Sequence, residues 1–139
     1  MNNRIENPTN VFVMTSWAAL AAGVLAYLIG LWNLDVELRD KGYYFTIFIF
    51  GLYAAVSVQK TVRDKMENIP VSGIFYGISW VGMAAALILF GISVYNTDLM
   101  IASEKGFYSM AFALSLFAAV VVQKNVRDQL SSQNIKNYS

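Results

Sequence analysis

The sequence predicts an all-α integral membrane protein. Its four transmembrane helices form two tandem parallel helical hairpins, with both termini in the cytoplasm. Three observations lead there. Charge is absent from four windows, 7–34, 42–59, 68–97 and 106–123, which are 28, 18, 30 and 18 residues long. The windows are apolar nearly all round, as lipid-facing helices must be, whereas a soluble bundle would keep one polar face on each helix. The polar stretch VQKTVRD at residues 58–64 returns as VQKNVRD at 122–128.

Composition agrees. The chain has 139 residues, 57% of them hydrophobic and 14% charged, against roughly 25% charged in soluble domains. A helix needs about 20 mostly apolar residues to cross ~30 Å of hydrocarbon. A membrane β-barrel would show apolar residues at every second position, and these runs do not alternate. The absence of cysteine and histidine excludes disulfides, thiolate metal sites and the commonest proton shuttle. A net charge of +1 gives no reason to expect nucleic acid as a partner.

The first span is predicted over about 11–32, after Pro8 and a cap at Thr9 or Asn10. It is too long for the core of a cleavable signal and reads as a retained anchor. The second is predicted over about 43–59, the third over about 71–95 from just after Pro70, and the fourth over about 107–123, before a short polar tail. The domain division follows: residues 1–69 form the first two-helix repeat and residues 70–139 the second. Tyr43 to Val58 extends only about 24 Å at 1.5 Å per residue. That falls short of the bilayer core, so the second and fourth helices read as short. A thinner local bilayer, snorkelling lysines, or Gln59 and Gln123 at hydrocarbon depth would each remedy this.

Orientation follows from Lys and Arg in the short loops. One side carries Arg4, Lys60, Arg63, Lys65, Lys124, Arg127 and Lys136, seven in all, and the other carries Arg39, Lys41 and Lys105. Seven against three places both termini inside. Trp32, Tyr43, Tyr44, Tyr95, Phe107 and Tyr108 gather at the outer ends as an aromatic belt.

The polar motif belongs to a longer repeat. Residues 41–65 and 105–129, offset by 64, agree at fourteen of 25 positions. The first and third helices, offset by 63, agree at 6 of 18 positions between 16–33 and 79–96. Each unit has an even number of spans, so the second copy enters from the same side as the first. The repeat is therefore parallel, about a pseudo-two-fold axis along the membrane normal.

Two sets of candidate residues follow. The cytoplasmic-side set is Gln59, Lys60, Arg63 and Asp64 with Gln123, Lys124, Arg127 and Asp128. If the helices continue through the motif, Lys60–Asp64 and Lys124–Asp128 are i,i+4 pairs worth about 0.2–0.5 kcal/mol when exposed. Read simply, this is an anchor to anionic headgroups. Read more sharply, Gln59, Arg63, Gln123 and Arg127 face one another across the axis and bind an anion, a lipid phosphate or a partner. The second set is external: Asp40, Lys41, Gly42 and Tyr44 with Glu104, Lys105, Gly106 and Tyr108. There the acid complements the helix dipole, the glycine permits a turn, and the tyrosine anchors at the interface. Gly73/Gly77, Ala18/Ala22/Ala26, Ala19/Gly23, Gly51/Ala55 and Ser115/Ala119 are small-residue ladders that allow close helix approach. They suit the bundle or a homodimer.

The duplicated hairpin, with its Asp40-Lys41-Gly42-Tyr43-Tyr44 and Glu104-Lys105-Gly106-Phe107-Tyr108 starts and its VQKxVRD exits, resembles the YiaA/YiaB family of bacterial inner-membrane proteins. The resemblance covers most of residues 11–130. It implies a multi-pass protein of the bacterial inner membrane built from a duplicated two-helix domain, and it implies no activity.

No charged residue lies inside a predicted span, and there is no metal-ligand cluster, nucleotide loop or nucleophile–base set. The expectation is therefore not an enzyme, and no cofactor or metal. The leading expectation is a structural or accessory bundle whose partners are lipid or another membrane protein. The alternative is a small uncoupled channel or transporter with a polar site near the pseudo-axis.

Overall fold

The computed structural model describes residues 7–139; Arg4, counted above for orientation, lies outside them. Four helices account for most of the described residues: α1 (Asn10–Asn33), α2 (Leu38–Met66), α3 (Gly73–Asn96) and α4 (Ala102–Tyr138). Each is long and apolar enough to cross a membrane.

The helix ends have local causes. Thr9 caps α1, its hydroxyl accepting from the Phe12 N–H at 3.2 Å, and Ser72 caps α3 through the Phe75 N–H at the same distance. α2 ends in a Schellman motif. Asn68 adopts φ 59°, its N–H reaches the Lys65 carbonyl at 3.2 Å, and the Ile69 N–H reaches the Asp64 carbonyl at 2.8 Å. Asparagine tolerates this left-handed conformation, and Pro70 blocks any continuation. The corresponding stretch of the second copy is Ser132-Gln133-Asn134, with neither stop signal, so α4 runs on to Tyr138.

The second and fourth helices are therefore not short. α2 has 29 residues and α4 has 37, about 44 and 56 Å. An apolar window measures only the part that suits hydrocarbon. Backbone hydrogen bonding continues past it wherever no proline or left-handed residue intervenes, so α2 and α4 outrun their charge-free windows. Gly42 and Gly106 are likewise interior to α2 and α4 and form no turn.

Packing crosses between the halves of the chain. α1 lies chiefly against α4, α2 lies against α3 and α4, and α1 touches α2 much less. Named contacts give the directions. Along α1, Ser16 meets Asn125, Gly23 meets Ser115 and Gly30 meets Tyr108, so α1 and α4 are antiparallel. Tyr44 reaches Ser93, and Gly82 approaches Phe50 and Ala54, so α2 and α3 are antiparallel. Gly51 abuts Phe112 and Leu116, while Arg63 and Asp64 meet Asp128 and Arg127, so α2 and α4 run side by side in one direction. Hence α1 begins at the end of the bundle where α4 finishes.

Four rings fill the middle. Tyr27 stacks on Phe48 with centroids 4.1 Å apart, and Phe90 stacks on Phe112 at 4.0 Å. One ring comes from each helix, and the two stacks exchange under the repeat. The phenylalanines of α2 and α4 lie 6.2 Å apart. Tyr27 is fully buried and sends its hydroxyl to the Tyr44 carbonyl at 3.0 Å, which satisfies its polar end inside the core.

The small-residue ladders divide accordingly. Gly23, Gly51, Ala55, Ser115 and Ala119 are buried at helix contacts, whereas Ala18, Ala22 and Gly73 are exposed and Gly77 is half-buried. A Cβ on Gly23 would sit 2.5 Å from Ser115 Oγ and 3.1 Å from the Ser115 backbone nitrogen, while one on Gly77 would meet nothing within 4 Å. Gly23→Ala is therefore expected to cost about 1–3 kcal/mol as an overpacked contact that backbone atoms cannot relieve. Gly77→Ala should be neutral. The folded fraction across a detergent unfolding series measures both.

Candidate functional site

The two VQKxVRD copies meet at one end of the α2–α4 pair. Arg63 donates to Asp128 and Arg127 to Asp64, a reciprocal exchange between the copies. Lys60 holds Asp64 from one turn away at 2.7 Å, and Lys124 holds Asp128 at 2.8 Å. The aspartates are nearly buried, with side chains 6% and 9% exposed, and the lysines are half exposed at 52% and 49%. These are not the solvent-exposed i,i+4 pairs that sequence spacing alone suggested.

Glu67 completes the cluster. It accepts from Arg63 at 2.6 Å and from Arg127 at 3.0 Å, bridging the two arginines. The Arg63 hydrogen bond, helped by Arg127, holds the Glu67 carboxyl below the ordinary carboxylate range. The sequence comparison missed this residue because its counterpart in the second copy is Ser131. Glu67 breaks the symmetry, and a search for repeated residues passes over it.

The predicted residues thus come together, but in a different arrangement. Arg63 and Arg127 face each other's aspartates rather than each other, so their charges are answered within the protein. Gln59 is half-buried one turn into the bundle, with Oε1 buried and unpartnered; Gln123 is half-buried at the equivalent level. The position marked x in the motif, which repeat identity discards, is the most buried of all. Thr61 is 0% and Asn125 1% exposed. Asn125 Nδ2 donates to Ser16 Oγ at 3.2 Å and ties α4 to α1, while Asn125 Oδ1 has no partner among the described residues. A signal was available: Thr61 and Asn125 lie one heptad beyond Ala54 and Ala118, on the stripes that face α3 and α1.

At the other end the motif of Asp40, Lys41, Gly42 and Tyr44 and its copy have a structural role. Lys41 Nζ donates to the Trp32 carbonyl at 2.9 Å, and Lys105 Nζ to the Tyr95 carbonyl at 3.5 Å. Each lysine covers the last turn of the preceding helix, where carbonyls lack partners. Asp40 and Glu104 lie in the first turns of α2 and α4, and Glu104 also accepts from the Ile101 N–H at 3.2 Å. Tyr44 donates to the Ser93 carbonyl at 3.0 Å, and its counterpart Tyr108 packs on Gly30. Nothing lies within 4 Å of a Cβ built on Gly42 or Gly106. Among the described residues no group of His, Cys, Asp or Glu is arranged to hold a metal.

A family model described as the yiaA/B two helix domain matches this chain twice, at residues 12–64 and 75–128. The chain is 47% identical over 128 residues to a protein named Inner membrane protein YiaA from Escherichia coli (strain K12), covering 92% of this chain and 88% of that one. It is 38% identical over 61 residues to an Uncharacterized membrane protein YubF from Bacillus subtilis (strain 168), covering 43% of this chain and 70% of that one. No solved structure matches the chain significantly.

Proposed function

Since this chain belongs to the yiaA/B two helix domain family, we propose that it is a non-enzymatic structural or accessory bundle of the bacterial inner membrane, working through contact with lipid or a membrane partner. The observation that carries this reading is the closed pseudo-axis. Two stacked aromatic pairs fill it at mid-depth, and the arginines and aspartates of the two copies neutralise one another at its end. A conduit along the axis would need a wetted lining, and a binding site for an anion would need arginine charge not already neutralised by the aspartates.

The proposed location rests on the name of the Escherichia coli relative and on the four apolar helices. Both termini are proposed to be cytoplasmic, because Lys and Arg set orientation even where Asp or Glu pairs with them. Reporter fusions at residues 37, 66, 101 and 139 test this; a cytoplasmic signal at 37 or 101 overturns it.

The alternative, a small uncoupled channel or transporter, draws on one observation: Gln59 Oε1 and Asn125 Oδ1 are buried without partners, as groups lining a water path would be. Proton and potassium leak from vesicles with and without the protein separates the two. The accessory reading expects equal leak. Protein-dependent leak that disappears in Gln59→Leu with Gln123→Leu would establish the alternative.

A further inference from the structure

An apolar groove of about 590 Å³ runs between α2 and α3 on the outside of the bundle, lined by Phe50, Tyr53, Gly73, Gly77, Ile78 and Gly82 among others. Its α3 wall, from Gly73 to Ala85, extends about 18 Å at 1.5 Å per residue. Half of a ~30 Å hydrocarbon core is about 15 Å, so the groove has the length of one leaflet. Ser57 lies on the α2 wall towards the VQKTVRD end. Lys60 follows it by three residues and Tyr53 by seven, which places Lys60 on the same helix face, one turn beyond the groove. Its side chain is 52% exposed.

The other half supplies an internal comparison. The matching surface between α1 and α4 holds only about 190 Å³. There Met14 stands for Gly77 and Ala19 for Gly82. The duplication has kept the lysine in both copies, as Lys60 and Lys124, but has opened the groove in one.

We propose that the α2–α3 groove seats one acyl chain of an anionic phospholipid, with its headgroup phosphate on Lys60. The charge around the mouth suits this occupant. Lys60, Arg63, Lys124 and Arg127 outnumber Asp64, Glu67 and Asp128, four to three. The ammonium of Lys60 spends one contact on Asp64 and keeps donors for a phosphate. The inference deepens the accessory reading by naming a lipid class.

The test counts lipid retained by purified protein in native mass spectrometry, with phosphatidylglycerol and phosphatidylcholine as probes. Gly77→Met places a side chain in the groove, the same residue that the first half carries at the equivalent position 14, and the fold has room for it. Lys60→Gln removes the charge. Phosphatidylglycerol retention is expected to fall about fivefold in Lys60→Gln, the equivalent of ~1 kcal/mol per basic residue near an anionic headgroup, and to fall below the parent in Gly77→Met. Met14→Gly with Ala19→Gly should add a second retained phosphatidylglycerol beside Lys124. Equal retention by parent and Gly77→Met, or phosphatidylcholine held as well as phosphatidylglycerol, overturns the proposal. Detergent unfolding confirms that each variant is folded. Vesicle leak does not enter this count, so a conduit would refute the accessory reading and leave the lipid result to stand or fall by itself.

Discussion

Asp64→Ala is expected to destabilise the bundle by about 3 kcal/mol. Removing one member of a buried ion pair leaves the other charge uncompensated, which costs about 3–5 kcal/mol when burial is complete. Arg127 keeps 18% exposure and a second partner in Glu67, which puts the figure at the lower end. Asp128→Ala should behave the same way, since Arg63 falls back on the same glutamate. The two effects should not add, because both rescued arginines then share Glu67. Replacing a whole pair, Arg63→Met with Asp128→Leu, should recover most of the loss, as apolar substitutes for a buried pair often do. Unfolding free energies by steric trapping in bicelles give all the values. A cost below about 0.5 kcal/mol for Asp64→Ala would mean that the cluster is a solvated anchor after all.

The second large effect concerns the halves. Produced separately, residues 1–69 and 70–139 are expected to lack a stable fold, because each loses its principal packing partner. α1 loses the α4 face that receives Gly23 and Ser16, and α3 loses the α2 face that receives Gly82. Produced together, they should copurify one to one, since Tyr27, Phe48, Phe90 and Phe112 need all four helices to complete their cluster. The loop after Met66 then acts mainly by raising effective concentration. Each half purifying alone as a folded monomer, with the same unfolding curve as the whole chain, would refute this. The relative matched over 61 residues, with 70% of its own length covered, is of a size to contain one half, and the same packing would require it to pair.

Much of the fold was legible in the residues. The ends of α1 and α3 fell within two residues of expectation, because Thr9, Ser72 and the apolar runs carry local, readable signals. The ends of α2 and α4 were misplaced, because hydropathy reports where lipid is and not where the backbone stops being helical. At the candidate site the repeat picked out Lys60, Arg63, Asp64 and their counterparts, which lie together at one end of the α2–α4 pair. It could not reveal Glu67, which has no repeated counterpart, or Thr61 and Asn125, which differ between the copies.

By itself the sequence determined that the chain carries four helices long and apolar enough to cross a membrane, that its second half repeats its first, and that the two polar motifs belong at one end of the bundle. Those properties depend on composition, periodicity and parity, all written along one dimension. Only the tertiary structure decided which helices are neighbours, that each arginine is answered by an aspartate from the other copy, and that the axis is filled by aromatic rings. Small residues tell a helix that it can be approached closely but not by which partner. That choice is made by the fit of Gly23 to Ser115, Ser16 to Asn125 and Arg63 to Asp128, residues far apart in the chain that meet only when all four helices are in place.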